Sequence, residues 1–306
     1  MRAAVILGPG CSSKDLAQFQ SNHNSPQEQA VSWQFGLPAA TDDADVILLF
    51  GGDGTVHRHL NHLVELRLPV LVVPTGSGND FARALGLRKV SDSQAAWRRF
   101  YAQAGNVQSI DLGVITPLGA NPGGAPAPHG HYFCGVAGIG LDGEVARRAN
   151  RLPRWLRGHG GYALSLPPAL FKFAPVIIKI ETETNVPGQR ATTDWAVRSN
   201  QPTLLAAFAN TPFYGGGMKI APGARMDDGQ LDVCTVGAMS PFRLFRLFPS
   251  VYFGRHLGVR EVIYSKARHI RVRTGRPLDV YADGEYVCTT PVELAVANGA
   301  LRVIIP

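Results

Sequence analysis

Residues 46–55 read VILLFGGDGT and residues 70–80 read VLVVPTGSGND, so an apolar run leads directly into a glycine-rich loop twice. Between the two stretches, apolar residues recur at i, i+4, i+7 and i+8, at Val56, Leu60, Leu63 and Val64. This spacing predicts a helix with one buried face. The order strand, loop, helix, strand, loop is typical of a parallel sheet, and open α/β sheets bind ligands at their carboxyl edge. Both loops are therefore expected at that edge.

The glycines of the two loops would let phosphates approach the backbone, where N–H groups and a helix N-terminus can bind them. Two such loops at one sheet edge favour a ligand site over a pair of ordinary tight turns. Asp53 lies among three glycines, and its charge would repel phosphate unless a cation or a hydroxyl intervened. We therefore expect Asp53 to organise a metal, a water network or a sugar hydroxyl.

Composition narrows the class of protein. The length of 306 residues suggests about two domains, and the hydrophobic fraction of 45% is ordinary for a globular chain. No run approaches the ~20 apolar residues of a transmembrane segment, and the apolar run at residues 3–7 suits a strand better than a signal peptide. Four scattered cysteines favour free thiols in a reducing cytoplasm. The net charge of +7 suits anionic lipid or phosphorylated small molecules, and nucleic acid is not an expected partner.

The pattern along the chain predicts two domains of different class. Residues 1–109 alternate between strands and helices, which predicts a Rossmann-like or phosphofructokinase-like α/β domain. Its further elements are a strand at 3–7 and helices at 14–20, 81–85 and 92–103. One strand–helix unit before Asp45 is expected to be missing or abbreviated. Residues 110–295 predict a β-rich sandwich domain, and the tail from about 296 to 306 could return to the first domain.

The β-rich half contains eight predicted strands, at residues 109–115, 132–137, 176–182, 203–208, 231–236, 269–274, 278–281 and 292–295. Residues 117–130 are dense in glycine, proline and alanine, which is typical of a hairpin loop. Helices are predicted at residues 142–150, 161–171 and 241–253.

Both glycine loops carry the resemblance to a known family. The strings GGDGT at 51–55 and PTGSGNDFARALG at 74–86 resemble the diacylglycerol kinase catalytic domain, whose superfamily includes sphingosine kinases, ceramide kinases and soluble bacterial lipid kinases. Further matching segments are IDLG at 110–113, GIGLD at 138–142, Asn210, GGG at 215–217, AP at 221–222, DDGQLDV at 227–233 and DGE at 283–285. NAD kinases share the first motif without this series.

The resemblance implies that the two loops hold ATP and its associated Mg²⁺. The implied nucleotide-binding residues are Gly51, Gly52, Asp53, Gly54, Thr55, Val56, His57, Thr75, Gly76, Ser77, Asn79 and Asp80. Asn79 and Asp80 also suit a helix N-cap, so one of the two could be purely structural. The resemblance further places the active site in a cleft between the domains.

The DGE motif supplies the candidate catalytic carboxylates. Phosphoryl transfer to an alcohol needs a group that accepts the hydroxyl proton. The resemblance implies Asp283 as this base, with Glu285 as the alternative or as a partner that positions metal-bound water. If the chain is extended there, both carboxylates share one face. From composition alone, Asp-Gly is equally typical of a hairpin turn.

A second metal site is implied by the acidic segment at 227–232. In the bacterial lipid kinases that the chain resembles, this loop holds a structural Mg²⁺. Carried over, the ligands are the Asp228 side chain and the carbonyls of Arg225 and Gln230. A solvated hairpin is the alternative from the residues themselves.

The chain departs from the family pattern after Val56, where His57 and Arg58 replace the common Asn and Glu. Arg58 could pair with phosphate or indicate altered activity. His57, His59 and His62 lack the i, i+4 spacing of a helical metal pair, which favours surface histidines. Gly8-Pro9-Gly10 replaces the usual first turn.

The lipid is expected at an anionic membrane surface. The segment PFRLFRLFPSVYF at 241–253 predicts either a core-packing helix or an interfacial patch, and Arg151, Arg154, Trp155 and Arg157 form a second candidate patch. The default reaction implied by the resemblance is diacylglycerol to phosphatidate, with sphingoid bases, monoacylglycerols and phosphatidylglycerol left open. An NAD kinase-like enzyme and a non-catalytic relative are the alternatives. A cytoplasmic protein with peripheral membrane association is expected, and homodimer formation is left open.

Overall fold

The computed structural model describes residues 1–20, 31–119, 130–151, 173–184 and 194–306. These residues divide into two compact units: 1–110 together with 299–306, and 111–298. The first unit is α/β and the second is β-rich, so the predicted fold class is confirmed. The predicted helix at 161–171 and the patch residues Arg154, Trp155 and Arg157 lie outside the described residues, as does most of the predicted loop at 117–130.

The first unit is built on a parallel sheet. Its strands are β1 (Arg2–Leu7), β2 (Ser32–Phe35), β3 (Val46–Gly51), β4 (Val70–Pro74) and the last residues of β15 (Val292–Ile304), in the order β2-β1-β3-β4-β15. Every residue of β3 and β4 is buried, as their unbroken apolar sequences predict. Where the structure describes the segment before Asp45, at residues 31–44, it contains the four-residue β2 and one 3₁₀ turn, Thr41–Asp43.

Four helices connect these strands: α1 (Ser13–Gln20), α2 (Asp53–Leu66), α3 (Asp80–Ala84) and α4 (Val90–Tyr101). The stripe predicted for α2 is confirmed, since Val56, Leu60 and Leu63 are buried. The chain goes from β1 to β2 on one side and then to β3 on the other. The order in which the chain adds strands to the sheet therefore reverses between β1 and β3. In open α/β sheets, a ligand-binding crevice forms at such a switch point.

The second unit contains antiparallel strands. They are β5 (Val107–Pro117, which begins in the first unit), β6 (His131–Phe133), β7 (Val136–Gly140), β8 (Val176–Thr184), β9 (Asp194–Ala209), β10 (Leu231–Gly237), β11 (Val262–Ala267), β12 (His269–Thr274), β13 (Asp279–Ala282), β14 (Glu285–Thr289) and the start of β15. The order is β14-β13-β7-β9-β8-β12-β15, with β10 between β9 and β11 and with β5 paired to β6. The helices in the described part of this unit are α5 (Leu141–Arg151) and α6 (Pro241–Tyr252), and a 3₁₀ turn spans Arg255–Gly258.

Two apolar clusters lie on opposite faces of this sheet. Along β9, Ala206 and Phe208 belong to one cluster, whereas Leu205 and Ala207 belong to the other. Since successive side chains of a strand point to opposite faces, β9 is buried on both sides. Apolar side chains therefore cover both faces of the central strands.

Three parts of the second unit differ from the sequence expectation. The strand predicted at 132–137 is divided into two strands, β6 and β7. The division lies at Cys134 and Gly135, whose backbone N–H groups donate to the Asp283 carboxylate. The strand predicted at 203–208 is the apolar end of the 16-residue β9. Strands β11 and β14 were not predicted, because both have mostly half-buried or exposed residues and little apolar alternation.

Candidate active site

The two glycine loops of the first unit touch through their backbones. Thr75 N donates to Gly51 O at 3.2 Å. A Cβ on Gly76 would lie only 2.5 Å from Gly52 Cα and 2.9 Å from Gly52 N. No side chain fits there without moving the backbone, so glycine is required for this approach. The pair of loops thus forms one continuous ledge at the carboxyl ends of β3 and β4.

Thr55 fills the space behind this ledge. Its side chain is buried, and a Cβ on Gly51 or Gly8 would approach it to 2.5 or 2.6 Å. The neighbouring Val56 is also buried, and its N–H donates to Gly52 O at 3.2 Å. The side chain of Val56, which the resemblance assigns to the nucleotide, therefore supports the loop from inside.

Asp53 connects the two loops. Its Oδ2 accepts the N–H of Asp80 at 3.0 Å and its Oδ1 accepts the N–H of Phe81 at 3.0 Å. A carboxylate at the start of a helix satisfies N–H groups that have no intrahelical partner and interacts favourably with the helix dipole. The sequence predicted a ligand-organising role for Asp53, and the structure adds a direct role in holding α3 against the first loop.

Asn79 and Asp80 stabilise the second loop. Asn79 is the N-cap residue of α3 with φ of 54°, and its side chain binds back to Gly76, accepting from the N–H at 3.1 Å and donating to the carbonyl at 2.6 Å. Asp80 is buried and forms an ion pair with Arg83. Both side chains thus hold the loop itself, while Thr75, Gly76 and Ser77 are exposed.

The residues that depart from the family pattern lie on α2. His57 is half-buried and Arg58 is exposed. Burial and the nearby charges of Arg58 and His62 lower the pKa of His59. His59 is therefore neutral at physiological pH.

In the second unit, Asp283 occupies the turn between β13 and β14. Asp283 and Gly284 have φ of 52° and 86°, the conformation of a two-residue type I′ hairpin turn. The hairpin interpretation of Asp-Gly is therefore correct. The chain is not extended between Asp283 and Glu285, so the condition under which the two carboxylates would share a face is not met.

The Asp283 carboxylate is nevertheless held in a defined position. Its Oδ1 accepts the N–H of Gly135 at 2.8 Å, and its Oδ2 accepts the N–H of Cys134 at 3.0 Å. A Cβ on Gly135 would lie 2.8 Å from Oδ1, so Gly135 makes room for the carboxylate. Cys134 Sγ also lies 3.5 Å from Oδ2, so three donors from the 134–135 segment surround the carboxylate. Glu285 is exposed.

A hydrogen-bond network supports the strand ends around Asp283. Buried Asn210 donates from Nδ2 to the carbonyls of Asp111 at 2.8 Å and Cys134 at 3.1 Å. Asp111 Oδ2 accepts the N–H of Gly229 at 2.7 Å. Sequence reasoning singled out Asp111 and Asn210 only as matching residues. Each of them is a polar residue next to apolar strand residues in the sequence, and this pattern could have indicated a buried hydrogen-bonding role.

The implied metal ligands do not form a divalent cation site. Asp228 Oδ1 accepts the N–H of Gln230 at 3.1 Å, and Asp228 Oδ2 is 2.6 Å from Lys266 Nζ. Arg225 is paired with Asp227 at 3.0 Å. Because an ammonium already contacts the only carboxylate of the set, Arg225, Asp228 and Gln230 do not fit the structural Mg²⁺ that the resemblance implies. Among the described residues, no group of three or more His, Cys, Asp and Glu could hold a metal.

An apolar cavity of about 70 Å³ lies inside the second unit. Its walls come mainly from α5, α6 and strands β9 to β11: Leu141, Val145, Leu205, Tyr214, Met218, Ile220, Val236, Met239, Leu244, Leu247, Phe248, Val251, His256, Val259 and Val262. His256 is buried, and burial lowers its pKa although its Nε2 bonds to Ile220 O at 3.0 Å. A neutral imidazole keeps this cavity uncharged.

Helix α6 covers the cavity with one face. Leu244, Phe248 and Val251 pack inward, whereas Phe242 is 76% exposed and Phe245 is 55% exposed. The helix therefore has a packed face, as the core-packing alternative predicts, and also an exposed face that bears aromatic residues. No helix in the described part of the chain is long and apolar enough to cross a membrane.

Comparison with known families accounts for most of the chain. Residues 14–115 match the diacylglycerol kinase catalytic domain, and residues 135–305 match the YegS C-terminal NAD kinase beta sandwich-like domain. The second match alone covers more than half of the chain. The chain belongs to the diacylglycerol kinase-like lipid kinases.

Named relatives agree with this family. A diacylglycerol kinase of Mycobacterium tuberculosis (strain H37Rv) is 32% identical over 268 residues, which cover 88% of this chain and 79% of the relative. A diacylglycerol kinase of Bacillus subtilis (strain 168) is 26% identical over 270 residues, which cover 88% and 80%. The structure also superposes on a crystal structure of a diacylglycerol kinase from Bacillus anthracis str. Sterne with a TM-score of 0.65. The superposition covers 100% of this chain and 96% of the Bacillus anthracis chain. Its 18% identity shows the shared fold alone. This lipid kinase is a transferase, and its family implies that it uses ATP.

Proposed function

We propose that this lipid kinase transfers the γ-phosphoryl group of ATP to the hydroxyl of diacylglycerol and forms phosphatidate. The cavity beneath α6 is the observation that supports a lipid substrate. Its lining consists of apolar side chains, Tyr214 and the neutral His256. Such a lining favours an acyl chain and disfavours a charged cosubstrate such as NAD. The diacylglycerol kinases among the relatives support diacylglycerol as the acceptor.

The nucleotide is assigned to the ledge made by the two glycine loops. The N-terminus of α2 begins there, and helix N-termini attract phosphate through their N–H groups and dipole. Exposed Thr75, Gly76 and Ser77 line the second loop. Asp53, the carboxylate of the first loop, fits as a partner of a nucleotide-bound Mg²⁺. That ion would supply charge neutralisation on the phosphates.

The acyl chain is assigned to the cavity. A volume of about 70 Å³ is small for a lipid, so admitting a chain requires α6 to move outward. No residue of α6 is fully buried, and the cost of this movement is correspondingly small. Asp283 then accepts the proton of the lipid hydroxyl as the new oxygen–phosphorus bond forms and the bond between the β- and γ-phosphates of ATP breaks, with ADP as the leaving group. Two backbone N–H groups hold its carboxylate, whereas exposed Glu285 is the second candidate.

A mixed-acceptor assay tests this assignment. We expect purified enzyme with radiolabelled ATP and Mg²⁺ to phosphorylate diacylglycerol in preference to monoacylglycerol, sphingosine and phosphatidylglycerol presented in the same vesicles. NAD in a parallel reaction should yield no NADP. Preferential labelling of another lipid would reject diacylglycerol as the substrate while leaving the lipid kinase class intact.

The exposed face of α6 is proposed as the contact with an anionic membrane. Phe242 and Phe245 provide apolar surface beside the exposed Arg246, a combination that binds at the interface of anionic bilayers. The double variant Phe242→Ser with Phe245→Ser should bind vesicles of phosphatidylglycerol and phosphatidylcholine about tenfold or more weakly in sedimentation.

The matched control is Ile177→Ser, since Ile177 on β8 is also 55% exposed and apolar. It should bind vesicles like the wild type. Equal binding by the α6 variant and the wild type would contradict the proposed membrane contact.

A further inference from the structure

Lys266 lies among the oxygen atoms of the 227–232 loop. Its Nζ is 2.6 Å from Asp228 Oδ2, 3.4 Å from Asp232 Oδ2 and 3.4 Å from the carbonyl oxygen of Gly223. Two carboxylates and a carbonyl are the donors that hard cations prefer in proteins. The ammonium group of Lys266 therefore lies among oxygen atoms that are typical of a cation-binding site.

Asp232 makes this positive charge necessary. Its side chain is completely buried, and its Oδ1 accepts a hydrogen bond from the Tyr264 hydroxyl. Its Oδ2 has no hydrogen-bond partner in the described part of the chain, and the ion pair with Lys266 is what compensates it. Burial raises the pKa of Asp232, an effect that Tyr264 and Lys266 oppose. Partial burial disfavours the charge of Lys266, but Asp228 and Asp232 outweigh it and raise the pKa of the lysine.

We propose that the Lys266 ammonium replaces a bound divalent cation in this loop, so that the loop is stable without a structural metal. The buried Asp232 and the partly buried Asp228 together carry two negative charges, and Lys266 neutralises one of them within hydrogen-bonding distance. A divalent ion at the same oxygens would have to displace the ammonium or share their space with it at a large electrostatic cost.

The loop is joined to Asp283 by an unbroken chain of hydrogen bonds within the second unit. Gly229 N binds Asp111 Oδ2, Asn210 binds the carbonyls of Asp111 and Cys134, and Cys134 N binds the Asp283 carboxylate. The replacement of the metal by Lys266 concerns the stability of this loop and does not rest on the proposed function.

Thermal unfolding of the full, nucleotide-free chain tests the proposal separately from catalysis. The wild-type Tm should be unchanged by EDTA and by added Mg²⁺ or Ca²⁺. Lys266→Ala removes the positive charge and leaves buried Asp232 uncompensated, which should lower Tm by roughly 4–8 °C. Added Ca²⁺ or Mg²⁺ should then restore part of the loss, because the carboxylates of Asp228 and Asp232 become available to the ion.

Lys179→Ala is the matched control. Lys179 Nζ is 2.6 Å from Glu181 Oε1 and its side chain is 34% exposed, against 2.6 Å and 32% for Lys266 with Asp228. Its Tm should respond to neither ion. A wild-type Tm that falls in EDTA and recovers with Mg²⁺ would overturn the proposal. So would a Lys266→Ala protein as stable as Lys179→Ala, or one that loses stability and is not restored by either ion.

Discussion

Asp283→Asn is expected to lower kcat by about 10²–10⁴-fold while the KM for ATP changes little. An amide cannot accept the proton of the lipid hydroxyl. The amide can also accept only one of the two N–H groups, on Cys134 and Gly135, that now bind the carboxylate. Steady-state kinetics with vesicle-borne diacylglycerol measure both constants.

Asp279→Asn is the control for this prediction, because Asp279 lies in the same hairpin and is exposed. It should behave like the wild type. Glu285→Gln should affect mainly the KM for ATP with Mg²⁺. If Glu285→Gln instead abolished the chemical step and Asp283→Asn did not, the assignment of the base would be reversed.

Asp53→Ala is expected to reduce turnover by about 10²-fold or more, since misplacement of catalytic geometry by about 1 Å costs that much. The change removes the acceptor of the Asp80 and Phe81 N–H groups and so releases α3 from the first glycine loop. Loss of such a cap costs about 1–2 kcal/mol of stability, which leaves the protein folded. Calorimetric titration with ATP should show weaker binding.

Asp92→Ala separates this effect from simple destabilisation. Asp92 Oδ2 accepts the N–H groups of Arg88 and Lys89 at the start of α4, at 2.8 and 2.9 Å. Its loss should lower Tm by a comparable amount and leave ATP binding unchanged. Full turnover by Asp53→Ala, or equal loss of ATP binding by both variants, would show that Asp53 has no special role at the nucleotide.

Local sequence features predicted the elements that bear the nucleotide loops. The runs at 46–50 and 70–73 are continuous and apolar because both faces of a parallel sheet are buried, and the glycines mark the turns that follow. The same reasoning predicted a β-rich second unit, and for residues 241–253 it left a core-packing helix and an interfacial patch as alternatives. These signals depend only on neighbours along the chain.

The contacts that define the candidate site depend on distant residues. Asp53 binds N–H groups 27 and 28 positions away, and Lys266 reaches a carboxylate 38 positions away. Such pairs follow from the pairing of strands and loops in three dimensions, which local patterns do not encode. Lys266 also lies on β11, a strand whose half-buried pattern gave no clear period. The expected metal ligands were therefore named without the lysine that pairs with Asp228.

The mass spectrum of the lipid product tests the central claim most directly. Purified enzyme is incubated with diacylglycerol vesicles, ATP and Mg²⁺, and the extracted lipids are compared with those from the Asp283→Asn protein. The account predicts phosphatidate that carries the acyl chains of the supplied diacylglycerol, formed by the wild type and nearly absent with the variant. Formation of NADP from NAD without phosphatidate, or equal phosphatidate from both proteins, would contradict it.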